Sequence, residues 1–182
     1  MISHGNARPT AQMWLAVLAA TMAAGCTASA SDAPSTPHTA ADSPVEAGRY
    51  IATVAGCNDC HTDGYLFNDG KVPEPERFLG SSMGWRGPWG TSYPRNLRIT
   101  VTTMTEDAWV QMLKTRTGLP PMPWMNVNQM AEVDMRAIYQ YFRSLGPAGN
   151  QPPNPVPPDQ EPTTPFLLLT PFEPGSPSPQ GQ

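Results

Sequence analysis

Cys57-Asn58-Asp59-Cys60-His61 is the stretch on which the reading of this chain turns. The pattern C-x-x-C-H is that of c-type haem attachment, and its spacing has a chemical reason. Two thiols three residues apart can reach the two vinyl groups of one porphyrin and form thioethers. The next residue then presents an imidazole to the iron. Three other uses of these residues compete. A thioredoxin-like C-x-x-C belongs to a βαβ context, of which the sequence shows no sign. A zinc site needs four ligands, and after Cys57, Cys60 and His61 only His38 and leader residues remain. A plain disulfide leaves His61 without a role.

On the N-terminal side of the motif, Ser43-Pro44-Val45-Glu46 carries a helix start. Ser is the N-cap, Pro takes the first helical position and Glu completes a capping box. The helix is predicted to run to about Val54. On the other side, from Thr62 to Thr103, no long helical period is found and Gly and Pro recur, so a long irregular region is expected to wrap something. Thr105-Glu106-Asp107 opens a second helix, with Lys114 and Arg116 near its end and Gly118 as its stop. Met135, Ile138, Tyr139 and Phe142 at i, i+3, i+4 and i+7 mark a last helix, ended by Gly146-Pro147, with Ala131 an unpromising cap. Three helices and one long loop make a thin core for about 100 residues, leaving room for a cofactor.

An iron bound by His61 needs a sixth ligand or an open position. The chain has ten Met, and Met122, between Pro121 and Pro123, sits on a stretch whose backbone proline stiffens. Met122 is therefore the expected ligand, ahead of Met125, Met83, Met104 and Met130. The loop also holds Trp89, Arg95 and Arg98, candidates to meet the two haem propionates, whose burial calls for donors or cations.

With these residues in view, the chain resembles the monohaem class I cytochrome c family, and more closely the cytochrome c domains associated with periplasmic dehydrogenases. Besides the haem motif and the helix order, the matching pieces are Gly48-Arg-Tyr-Ile51, Asn96-Leu97, Pro121-Met122-Pro123-Trp124 and Ala137-Ile-Tyr-Gln-Tyr-Phe-Arg-Ser-Leu145, over about 100 residues. The resemblance implies an all-α cytochrome c-like fold of about three helices plus long irregular loops around one covalent haem c. It also implies a crossing of the first and last helices near Gly48 and Tyr139, and transfer of single electrons rather than catalysis. Those relatives often carry two or three haems; one C-x-x-C-H holds one.

The ends of the chain set its address. Arg8 precedes an apolar segment, Met13 to Ala24, too short to span a bilayer and of the length of a signal-peptide core. Ala23-Ala24-Gly25-Cys26 resembles a lipobox, so residues 1–25 read as a lipoprotein signal peptide and Cys26 as the acylated residue. Residues 26–43 form a tether poor in anything to bury, with His38 as a solvated linker residue. The cytochrome domain is expected over 44–147. Of 23 Pro, twelve lie in the last 36 residues. Residues 148–182 would be free by composition, yet Phe166-Leu167-Leu168-Leu169 and Phe172 argue that Thr164 to Phe172 docks in extended form on the domain or on a partner subunit.

The net charge is −4, but residues 45–146 balance ten basic against ten acidic residues and have only two Lys, Lys71 and Lys114, which argues against nucleic acid and leaves no strong electrostatic docking face. No apolar run reaches a spanning length. The sequence thus points to a c-type cytochrome lipid-anchored on the periplasmic side of a bacterial membrane, or free in the periplasm if Cys26 is not acylated. Its partners would be a dehydrogenase or an oxidase of a respiratory chain. Two other readings stand beside it: a haem subunit belonging to one larger dehydrogenase or oxidase complex, and a peroxidase-like haem enzyme or sensor with a labile sixth ligand.

Overall fold

The computed structural model describes residues 1–2 and 36–171. The signal segment, Cys26 and most of the tether, and Phe172 with the end of the tail, lie outside the described residues.

Six helices and one three-stranded sheet make up the described chain: α1 (Pro44–Val54), α2 (Cys57–His61), β1 (Gly84–Gly87), β2 (Gly90–Ser92), α3 (Leu97–Thr100), α4 (Glu106–Thr115), α5 (Trp124–Val127), α6 (Glu132–Ser144) and β3 (Phe166–Leu168). The fold is therefore α/β and not all-α as expected. The physical reason lies in where the strands come from. Two are the arms of a hairpin rich in Gly, and the third is a piece of the tail, so no stretch is long enough to show an alternating pattern.

The three longer helices form where caps and apolar spacing put them. Ser43 Oγ accepts from Glu46 N–H at the start of α1, and Thr105 Oγ1 from Ala108 N–H at the start of α4. Ala131 gives α6 no side-chain cap; Glu132 and Asp134 instead place negative charge in its first turn, where it suits the helix dipole. One of them is engaged from outside: the backbone N–H and the ring Nδ1 of His38 bond the two carboxylate oxygens of Asp134, each at 2.9 Å. His38 is thus pinned to α6, unlike the solvated linker residue expected.

α1 and α6 cross at Gly48. A Cβ on Gly48 would lie 2.0 Å from the Ala137 carbonyl oxygen and 2.9 Å from Ile138 N, so only glycine lets the two backbones meet there. Behind the crossing, Phe78, Val110, Met135, Tyr141 and Phe142 are buried with Trp109. Phe78 packs on Phe142 with ring centroids 4.7 Å apart and edge-on to Tyr141 at 5.7 Å. Its backbone sits at φ 61°, a costly conformation for an aromatic residue. Two bonds hold it: Phe78 N–H donates to Thr62 Oγ1 at 2.9 Å and its carbonyl accepts from Leu97 N–H at 3.0 Å.

The sheet has the order β2-β1-β3, with β1 antiparallel to β2 and parallel to β3. On the other side of the hairpin, Thr91 and Val156 exchange both backbone bonds, at 2.7 and 2.9 Å. The tail therefore covers both edges of the hairpin. Arg86 is its clasp: Nη1 donates to Thr91 Oγ1 and the Gln160 carbonyl, Nη2 to Glu161 Oε1, and the guanidinium lies 5.6 Å from the Phe166 ring centre. Phe166 and Leu168 stay about 40% exposed (39% and 41%), so hydrogen bonds hold the tail as much as apolar burial does. None of the described helices is long and apolar enough to cross a membrane.

Candidate functional site

Gly56, at φ 70°, turns the chain out of α1 into the single turn of α2, which carries Cys57, Cys60 and His61. Residues three apart on one turn share a side of the helix, so both thiols face the same space. Both are free and partly buried. Burial, reinforced by the neighbouring Asp59 carboxylate, pushes the Cys57 thiol up to about 12 and that of Cys60 in the same direction. Such thiols stay protonated at neutral pH, the opposite of the depressed values of reactive C-x-x-C pairs. Among the described residues, no three His, Cys, Asp or Glu side chains converge as a metal-binding group.

His61 is the most constrained member of the site. Its Nδ1 lies 2.7 Å from the Arg95 carbonyl. A carbonyl can only accept, so Nδ1 carries the proton and Nε2 keeps its lone pair. Burial lowers the affinity of the ring for a second proton, against the smaller opposing effect of that bond. The His61 backbone is fixed as well, its carbonyl accepting from Gly80 N–H at 2.9 Å. Gly80 must itself be glycine: at φ 75°, a Cβ there would lie 2.6 Å from the Pro94 carbonyl oxygen and 2.7 Å from Pro152. Asn58, wholly buried beneath the turn, accepts from Thr62 Oγ1 at 2.8 Å.

Met122 lies half-buried on the loop between α4 and α5. Its carbonyl accepts from Trp124 N–H at 2.9 Å. Arg116 stacks 5.2 Å over Trp124, and Ser92 Oγ of β2 donates to the Pro120 carbonyl. Among the rivals, Met125 is 73% exposed and Met104 and Met130 pack on the core, while Met83 lines an open pocket of about 210 Å³ beside Cys60, together with Tyr65, Phe67, Trp85 and Leu167.

The three candidate propionate contacts separate. Trp89 Nε1 is buried without an acceptor. Arg95 makes only long bonds, 3.3 and 3.4 Å, to the carbonyls of Pro152 and Pro153, which leaves most of its guanidinium donors available. Arg98 is committed elsewhere. Nε donates to the Gly146 carbonyl and Nη1 to that of Pro75, both at 2.6 Å, and Nη2 to that of Leu145. It closes the carbonyl end of α6, which gives it a structural role. Ser92, Gln151 and Arg86 were not found by sequence reasoning. A hydroxyl or amide that bonds distant backbone leaves no local pattern.

A haem fits this arrangement on four counts. Nε2 of His61 has no partner among the described residues, both thiols lie on one side of one turn, and a pocket opens beside Cys60, although neither His61 nor Met122 lines it. The fourth is that, among the described residues, the buried donors Asn58 Nδ2 and Trp89 Nε1 lack acceptors, a condition native proteins rarely tolerate; a haem carboxylate meeting Trp89 would relieve the second. No known family model, curated protein or solved structure matches the chain.

Proposed function

We propose that this chain is a c-type cytochrome that carries single electrons. Cys57 and Cys60 would hold one haem by thioethers, and His61 and Met122 would be the iron's axial ligands. The observation that carries the reading is the Nδ1–H bond from His61 to the Arg95 carbonyl, made by the His of a C-x-x-C-H turn. A metal-ligating His characteristically donates its other ring N–H to such an acceptor, which fixes the tautomer and strengthens the ligand. When bound, haem supplies a one-electron iron couple, and a thioether axial ligand raises its potential. The chain's own residues do the rest. Burial keeps the imidazole neutral, Arg95 orients it, and Ser92 with Trp124 steadies the loop of Met122. Trp89 and Arg95 offer donors for the propionates. By the same reading the protein is exported, acylated at Cys26 and held at the periplasmic face of a membrane, passing electrons between partner proteins.

The exported protein should show a c-type haemochrome spectrum that survives acid–acetone extraction, and Cys57→Ala or Cys60→Ala should lose or shift it. Freely extracted haem from the wild type refutes the proposal. Carbon monoxide should leave the reduced spectrum unshifted at neutral pH; a shift would favour the enzyme or sensor reading.

One observation favours a second form of the same function. Leu66 and Phe67, which line the pocket beside Cys60, are 49% and 71% exposed, and Phe166 and Leu168 are exposed as well. Apolar surface of this kind suits a lasting protein contact, as a subunit of a larger dehydrogenase or oxidase would make. Co-purification of a stoichiometric partner from native membranes tests it.

A further inference from the structure

Residues 91–96 form a strap between α2, which bears His61, and the loop that bears Met122. Ser92 reaches one way, donating to the Pro120 carbonyl two residues before Met122. The Arg95 carbonyl reaches the other way, to His61 Nδ1 at 2.7 Å. Some further holds come from within the domain, as from Arg86 Nη1 to Thr91 Oγ1 and from Ser81 N–H to the Pro94 carbonyl, and another set comes from the Pro-rich tail. Thr91 exchanges two backbone bonds with Val156. Tyr93 OH and Thr164 Oγ1 share a bond of 2.8 Å. Gln151 pairs reciprocally with the Asn96 backbone, its Oε1 accepting from Asn96 N–H at 3.2 Å and its Nε2 donating to the Asn96 carbonyl at 3.3 Å. Asn96 is fully buried, and its Nδ2 donates to the carbonyls of Ala148 and Asn150 at 2.8 and 3.3 Å. The peptide joining Arg95 to Asn96, whose oxygen holds the imidazole, is thus caught between Gly80 on one side and residues 148–153 on the other.

We propose that the tail from Ala148 to Leu169 is an intramolecular clamp, with Gln151 as a positioning residue, that sets how firmly the strap holds the His61 turn and the Met122 loop. The inference rests on the proposed haem ligation. Three features favour a clamp over a merely adhering tail. Its contacts from Ala148 to Val156, and that of Thr164, fall on the strap, the segment that also contacts His61 and Pro120, while residues 160–169 otherwise hold β1 and Arg86. They are directional hydrogen bonds, not apolar burial alone. Its proline content reduces the entropy lost on docking an extended segment. Releasing the clamp leaves both ligands in place but loosens their supports, so the weaker axial bond, that of Met122, opens more often.

The test uses the holoprotein as wild type, Gln151→Ala, Tyr93→Phe and a chain ending at Asn150, which keeps the acceptors of Asn96 Nδ2. Imidazole is the probe of the ferric iron, and the His61 Nδ1–H signal in the NMR spectrum reports the Arg95 bond. Covalent haem should be retained throughout. Imidazole affinity should rise roughly tenfold in the shortened chain, the equivalent of one or two lost hydrogen bonds, and about threefold in each single variant, with faster exchange of the His61 Nδ1 proton. A tail with a purely structural role would lower melting temperature and leave both readouts, taken well below melting, unchanged; that result overturns the inference. If the shortened chain does not fold, the two single variants decide alone. Lack of covalent haem in the wild type overturns the proposed function and the clamp together, whereas covalent haem with unchanged imidazole binding overturns the clamp only.

Discussion

Substituting Gly48 by Ala sets two opposed effects against each other. In isolation the change favours the helix by about 1 kcal/mol, because Gly is the poorer helix former. In the fold the new methyl would stand 2.0 Å from the Ala137 carbonyl oxygen, 2.4 Å from its carbon and 2.9 Å from Ile138 N. All three are backbone atoms of α6, so no rotamer change relieves the clash. Restoring an ordinary carbon–oxygen contact requires the helices to part by more than 1 Å, which disturbs the packing of Met135, Ile138 and Phe142. Overpacking of this kind costs typically 1–3 kcal/mol and more where nothing can give; against a rigid backbone we take about 4. The net expectation is a loss of about 3 kcal/mol, or a melting temperature lower by roughly 10 °C for a domain of this size. Urea unfolding of the holoprotein followed by circular dichroism measures it, with an unchanged m-value marking a pure stability effect. Gly48→Ala as stable as wild type, or more so, would refute the close crossing and the placing of α1 against α6.

Four further outcomes are expected. Met122→Ala should abolish the sulfur-to-iron charge-transfer band of the oxidised protein and admit added ligands, while Met125→Ala, at a side chain 73% exposed, should change neither; the reverse result moves the ligand to Met125. Trp89→Phe should destabilise the holoprotein by about 1–3 kcal/mol in urea if Nε1–H meets a haem carboxylate, whereas a donor left orphaned in the loaded protein predicts a neutral or stabilising change. Arg98→Ala orphans the carbonyls of Leu145 and Gly146 at the end of α6 and that of Pro75, and should cost about 3 kcal/mol with the haem spectrum intact, a disturbed spectrum counting against a purely structural role. Glu132 is held at about 2 chiefly by its bond to Lys114 and then by Arg136; a depressed carboxyl stabilises above its ordinary range near 4.5 and loses that contribution as pH falls toward 2. Melting temperature measured between pH 5 and pH 2 should therefore fall less steeply in Glu132→Gln, and parallel curves would show that the pairs of Glu132 with Lys114 and Arg136 contribute nothing.

Local chemistry was legible without a structure. Ser43-Pro44, Thr105 and the spacing of Met135, Ile138 and Phe142 each act within a turn or two, so the starts of α1 and α4 and the buried face of α6 follow from neighbouring residues, while the start of α6, with no capping side chain at Ala131, does not. The same holds for Cys57, Cys60 and His61, whose shared side of one turn is set by their spacing. The sheet was not legible. β1 and β2 are three or four residues long with Gly84, Gly87 and Gly90 among them, too short for alternation to register, and β3 joins β1 from some eighty residues away. Nor could composition separate Arg98 from Arg95. Two arginines of one loop differ in role because the carbonyl end of α6 happens to stop beside one of them. The sequence by itself determined the local elements and the set of groups offered to a haem. Only the tertiary structure decided which carbonyl orients His61, which arginine stays available and where the tail lies, because hydrogen bonds between distant backbone groups depend on chain path and carry no residue-type signature.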